Sequence, residues 1–155
     1  MNSSVFNSFK VPFFTLPKFV ARIGGALPQW PHALVLTAAL NTLVKTKFLS
    51  INDLETLEGR SFLIDTLDTG TQAAFTYQNG WFRPLRVIPE TPDLTFRANL
   101  SAFLQMATRQ EDPDTLFFNR DLAIEGDTEL GLIVKNMLDA MEWPRFIRAH
   151  TPAYE

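Results

Sequence analysis

The chain has no cysteine, which excludes disulfides, thiolate metal sites, iron–sulfur clusters and cysteine nucleophiles. Its two histidines, His32 and His150, leave too little for a histidine zinc site or a serine–histidine–carboxylate arrangement. His32 stands at a helix start and His150 in the C-terminal tail, and both read as incidental to catalysis. Tyrosine is also scarce, two against fourteen phenylalanines, so most of the aromatic surface lacks a polar handle. That balance suits a dry interior, an apolar ligand or a membrane contact. Long hydrophobic runs are missing too. The longest candidate, Ala33 to Val44, is broken by Thr37, Asn41 and Thr42, short of the roughly 18 uninterrupted residues of a spanning helix. Met1 to Phe9 has no basic run, and Pro12, Pro17 and Lys18 interrupt any apolar segment behind it, so no secretory signal is expected. The reading is a cytoplasmic protein whose membrane association, where present, is peripheral.

Acid is absent from the first third. Residues 1–50 carry Lys10, Lys18, Arg22, Lys45 and Lys47 with no Asp or Glu, and Asp53 is the first acid. The formal net charge of −3 therefore divides into +5 for this part and −8 for the rest. An acidic chain without a basic helix is a poor nucleic-acid binder. A positive half that is also rich in Phe fits an anionic lipid surface, or else docks on the protein's own acidic body. Phe6, Phe9, Phe13, Phe14 and Phe19 are the candidate anchors, with Lys10, Lys18 and Arg22 among them.

What remains is the size of one ordinary domain, 155 residues. Three stretches are expected: a Pro- and Phe-rich basic segment over 1–31, a folded domain over 32–143, and a tail over 144–155. Short helical turns between prolines are expected before Pro31, which suits the first turn of a helix running to about Lys47. Residues 58–98 read as a β-meander. The strands are Arg60–Leu67, Gln72–Gln78, Trp81–Ile88 and Leu94–Ala98, with an Asn79-Gly80 hairpin that favours a type I′ turn and Pro84 marking an edge strand. Asn99 is placed to cap a helix over Leu100–Arg109. A capped turn at Asp112-Pro113-Asp114, a fifth strand over Leu122–Glu125 and a final helix follow. In that helix Leu130, Ile133, Val134, Met137, Leu138 and Met141 recur with helical period, to an end near Trp143. The fold class is α+β, a mostly antiparallel five-stranded sheet with helices on one side.

No group of residues carries an obvious chemistry. Glu111, Asp112 and Asp114 lack the ligand spacing and glycine turn of a cation loop, and Asp127 and Glu129 are explained by capping. Gly24-Gly25 has no phosphate-loop lysine behind it, and Asp65 and Asp68 read as lone acids. No enzyme is expected, and no metal or cofactor. Composition leaves open whether the aromatic residues fill a core or line a cavity.

The run EDPDTLFFNRDLAIEGDTELGLIVKNMLDAME, Glu111 to Glu142, resembles the C-terminal half of the sterol-carrier-protein-type-two family. That pattern is an acidic turn, a Phe pair, a short strand ending in Gly-Asp and an amphipathic helix. The Leu57-Glu-Gly-Arg60 lead-in and the Asn79-Gly80 hairpin also match, over roughly residues 30–143. Within the family, the wording is similar to the bacterial accessory factors of oxygen-independent ubiquinone synthesis. The resemblance implies a hydrophobic tunnel for a lipid tail and no catalytic residues. By matched element the lining would be Phe62, Ile64, Phe75, Phe96, Phe117, Phe118, Ile124, Leu130, Val134 and Leu138. The implied ligand is a quinone intermediate offered to ubiquinone-biosynthesis hydroxylases. The alternatives are a phospholipid carrier for an anionic head such as phosphatidic acid, and an interaction module with a filled core.

Overall fold

Two tight turns start the sheet. The computed structural model describes residues 11–46, 51–108 and 110–140. In it β1 (Ser61–Thr66) and β2 (Thr71–Gln78) pair antiparallel. β2 reverses at Asn79 and Gly80, whose φ values of 53° and 82° match the type I′ turn expected there, into β3 (Trp81–Pro84). β4 (Leu94–Ala98) lies parallel to β1 on its other side, and β5 (Leu122–Gly126) is antiparallel to β4. The order is β3-β2-β1-β4-β5. This is the mostly antiparallel five-stranded α+β sheet that the sequence predicts, with one parallel pair; the expected meander ends at β3, because β4 crosses back to pair with β1.

β3 stops four residues before the expected Ile88, and the cause is a side chain. Leu85 still donates to the Ala74 carbonyl, but the Ala74 N–H turns to Oε1 of Gln29 at 3.1 Å. The same carboxamide donates through Nε2 to the Leu85 and Arg86 carbonyls at 2.6 and 3.0 Å. It is wedged where the ladder would have continued. On the open edge of β3, Asn41 gives its amide to the Phe82 carbonyl at 2.9 Å and accepts the Phe82 N–H at 2.8 Å. Two residues on, Pro84 faces the same outer edge, where its missing N–H costs the ladder nothing.

The pleat sorts the sheet into two faces. On one, Phe62, Ile64 and Thr66 stand opposite Phe75, Ala73 and Thr71, with Phe96 beside Ile64 and Ile124 beside Phe96. Phe62 stacks on Phe75 at 5.2 Å, and Phe82 meets Phe75 and Tyr77 edge-on at 5.9 and 4.9 Å. Each such pair contributes roughly 0.5–1.5 kcal/mol beyond area burial. On the other face Arg97 bridges Asp65 at 3.1 Å and Glu125 at 2.7 Å, so Asp65 is not the lone acid its sequence context suggests.

Helical side chains from α2 (Trp30–Lys45), α3 (Ile51–Glu55), α4 (Leu100–Ala107), α5 (Pro113–Phe118) and α6 (Thr128–Ala140) all join the apolar face. The prediction of helices on one side follows from that sorting. Asp112 caps α5 by accepting the Thr115 N–H at 2.7 Å, and Asp127 caps α6 through the Leu130 N–H at 3.0 Å, both as expected. Asn99 does not cap α4. Its amide goes to the Thr15 hydroxyl, and the Leu100 N–H is taken by Asp68 at 2.9 Å.

The N-terminal stretch is more ordered than turns between prolines. α1 (Lys18–Ala26) rests on the β1–β2 turn. A Cβ at Gly24 would collide with the Thr69 carbonyl, and one at Gly70 with the Ala21 carbonyl, so two glycines permit that approach. Residues 11–17 form a strap against α4. The Ser101 hydroxyl donates to the Phe14 carbonyl at 2.8 Å, Gln105 donates to the Val11 carbonyl at 3.3 Å, and the Leu16 N–H donates to Asp68 at 3.0 Å.

Candidate functional site

The helices divide the apolar face between them. α2 packs on β2 and β3, fixed at its start by Gln29 and in its middle by Asn41, whereas α5 and α6 pack on β5 and on each other. The centre of the face, β1 and β4, lies between these two blocks. Along β1 the side chain of Phe62 is closed, yet Ile64, two residues on, remains partly exposed. A central strand in a filled core would be closed along its length.

Other apolar side chains packed against the core share that partly buried state: Leu36, Leu40 and Leu43 of α2, Phe103 and Met106 of α4, and Ile133, Val134 and Leu138 of α6. Ile124 lies beside Phe96 on the same face of the sheet. α6 presents its residues because its apolar positions recur at i, i+3 and i+4. Its placement is held by Lys135, whose ammonium meets Asp114 of α5 at 2.6 Å. The carboxylate's hydrogen bond raises the Lys135 pKa above its ordinary value. These apolar side chains offer burial rather than hydrogen bonds, which suits an alkyl or isoprenoid chain.

The ten residues singled out in the sequence fall into three groups. Ile64, Ile124, Val134 and Leu138 are partly buried against the core. Phe62, Phe75, Phe96 and Leu130 are closed into the core itself. Phe117 and Phe118 are corrected: they are 46% and 78% exposed and touch each other edge-on. α5 turns Pro113 and Leu116 inward, and that i, i+3 pair leaves the next two residues on the outside.

Of the expected membrane residues, Phe6, Phe9 and Lys10 lie outside the described residues. Phe13 and Phe19 are 61% and 63% exposed, and Lys18 and Arg22 are exposed beside them, whereas Phe14 is half-buried against α4. The outer faces of α1 and α2 continue that surface with Ile23, Leu34 and Val35. No acid occurs between residues 11 and 46.

Sequence reasoning passed over His32. Among the described residues, its Nδ1 is the one buried side-chain polar atom without a hydrogen-bond partner. His32 lies on the same ridge of α2 as Leu36 and Leu43, by the i, i+4 and i+11 spacing. The described residues contain no group of three acids or histidines placed to hold a metal, and no helix among them is long and apolar enough to cross a membrane.

Comparison with known proteins bears on the same region. Residues 38–139 match the model of the SCP-2 sterol transfer family. A protein of Escherichia coli strain K12, Ubiquinone biosynthesis accessory factor UbiT, is 44% identical over 103 residues, covering 65% of this chain and 57% of that protein. Its counterpart in Escherichia coli O157:H7 matches equally. The chain thus spans little more than half the length of these curated relatives. A solved structure, the UbiJ-SCP2 Ubiquinone synthesis protein, superposes with a TM-score of 0.55 at 20% identity, covering 70% of this chain and 96% of that one. That is a likeness of fold. The family match runs from within α2 to near the end of α6, and so takes in the whole sheet. With well over half of its length inside the matched stretch, the chain belongs to the SCP-2 sterol transfer family.

Proposed function

We propose that the chain is a non-catalytic lipid carrier that holds the isoprenoid tail of a quinone intermediate and supports oxygen-independent ubiquinone synthesis. The observation that carries this reading is the partly exposed Ile64 at the centre of the sheet, taken as the floor of an apolar cleft whose walls would be the partly buried side chains of α2 and α6. Each buried methylene contributes about 0.8 kcal/mol. Roughly ten would match the ~8 kcal/mol of a micromolar complex, before the cost of ordering the tail. The name of the 44% identical relative supports the ubiquinone assignment. The head group, left near the cleft mouth, would be offered to hydroxylases of the pathway in the cytoplasm.

The acid-free surface of α1 and α2 supports a further part of the reading, reversible contact with an anionic membrane from which the lipid is collected. Lys18 and Arg22 supply about 1 kcal/mol each near such a surface, and Phe13, Phe19 and Ile23 supply the insertion. The same surface favours a second reading, a carrier of phospholipids with an anionic head such as phosphatidic acid.

Organic extraction of the purified protein followed by lipid mass spectrometry tests the carrier reading. Isoprenoid quinone precursors are expected. A preparation that carries no lipid and takes up no added precursor or phospholipid would sink it. Deleting the gene and measuring quinone in cells grown without oxygen separates the two ligands. Loss of quinone supports the first, and normal quinone with altered phospholipids supports the second.

A further inference from the structure

We propose that His32 is the polar anchor of the cleft: its Nδ1 accepts a hydrogen bond from a hydroxyl on the ligand's head group, so that the chain favours phenolic heads over heads that only accept. This rests on the lipid-carrier reading above and adds which part of the ligand is read.

The first ground is the orphaned atom. Nδ1 of His32 is closed off from solvent and has no partner, whereas nearly all buried polar atoms in folded proteins are paired. Gln29, Thr37 and Asn41, its polar neighbours on the helix and its cap, are already engaged. Gln29 holds Ala74, Leu85 and Arg86; Asn41 holds Phe82; the Thr37 hydroxyl donates to the Ala33 and Leu34 carbonyls. The second ground is position. The ridge that carries His32 continues into Leu36 and Leu43, which pack on the core cluster, so the imidazole stands at one end of an apolar wall. A long ligand lying along that wall would bring its polar end to the ring.

The third ground is the direction of the bond. A neutral imidazole has one N–H and one lone pair. Nε2 is not left buried and unpartnered, and a buried unpaired N–H is rarer than a buried unpaired acceptor. On this proposal the proton sits on Nε2 and the lone pair on Nδ1. A lone pair needs a donor. A phenol or hydroquinone provides one; an oxidised quinone, a methyl ether and a phosphodiester do not.

A matched pair of ligands isolates this contact: a long-chain prenylated phenol and its methyl ether, alike in tail and ring, titrated at pH 8. The wild-type chain is expected to bind the phenol about tenfold more tightly. His32→Leu is expected to lose that preference while keeping its affinity for the ether within about twofold. In the wild type, the Nδ1 nitrogen resonance should move on adding the phenol and stay on adding the ether. Should His32→Leu fail to fold, that resonance decides alone. Equal binding of both ligands by the wild type overturns the anchor, as does a preference that survives in His32→Leu or a resonance that ignores the phenol. If the wild type binds neither ligand, the carrier reading has failed and the anchor goes with it.

Discussion

Val11 and Gln110 hold each other through both ends of one carboxamide. The Val11 N–H donates to Oε1 at 2.6 Å, and Nε2 donates back to the Val11 carbonyl at 2.6 Å. A side chain here imitates a neighbouring strand and fastens the strap to the far end of α4. Gln110→Ala should cost about 1–2 kcal/mol, the worth of two partly exposed hydrogen bonds. Amide hydrogen exchange over residues 11–17 should quicken well beyond that of β1 and β2. Unchanged exchange in the strap would show that the fastening is redundant.

The strap also bears on membrane contact, because it engages the backbone of residues 11–16 while leaving Phe13 outward. Lys18→Gln with Arg22→Gln should weaken sedimentation with anionic liposomes at low salt and matter less at high salt, where charges are screened. Phe13→Ser with Phe19→Ser should weaken it at every salt concentration. If both pairs sediment like the wild type, the exposed face of α1 has no part in membrane contact.

Gly24 sets how closely α1 approaches the β1–β2 turn. Gly24→Ala should destabilise the protein by about 1–3 kcal/mol through overpacking against backbone, although alanine is the better helix former. A lower denaturant midpoint with an unchanged slope is the expected result. A midpoint that rises would mean that the turn yields easily.

Asp93 supplies a pH dependence. The Ser61 N–H at 2.8 Å, the Ser61 hydroxyl at 3.1 Å and Arg60 at 3.4 Å favour its carboxylate over the opposing effect of burial. Its pKa is therefore held below the ordinary value. A depressed acid stabilises the fold above its unfolded pKa of about 4, and that contribution is lost as pH falls through the folded value. Asp93→Asn should thus be less stable than the wild type at pH 7, by about 1 kcal/mol after discounting for solvent screening. The gap should close on the acid side of pH 4. A gap independent of pH would assign the loss to packing.

The strands and the last helix were legible because their signals are local. Phe62, Ile64 and Thr66 alternate, Asn79-Gly80 names its own turn, and α6 repeats its apolar residues with period 3.6. The inward choice within α5 was legible too, in the spacing of Pro113 and Leu116, but the eye goes to the Phe pair. The rest depends on partners distant in sequence. Nothing around Gln29 or Asn41 announces that their carboxamides join the β2–β3 hairpin and the residues just after it, 41 to 57 residues away. Asp68 reads as a lone acid until Leu16 and Leu100 are seen to converge on it. His32 becomes notable only once the bonds of its neighbours have been assigned.

Gln29 and Asn41 fasten α2 to the edge of the sheet by directional bonds at two points along its length. Swinging α2 away from the sheet would therefore break backbone contacts of the β2–β3 hairpin at two separate places. Its position is set by directional bonds, which fail abruptly, as well as by packing, which yields by degrees. That makes α2 a stiff edge of the apolar face, and the hairpin cannot shift its register without letting go of the helix.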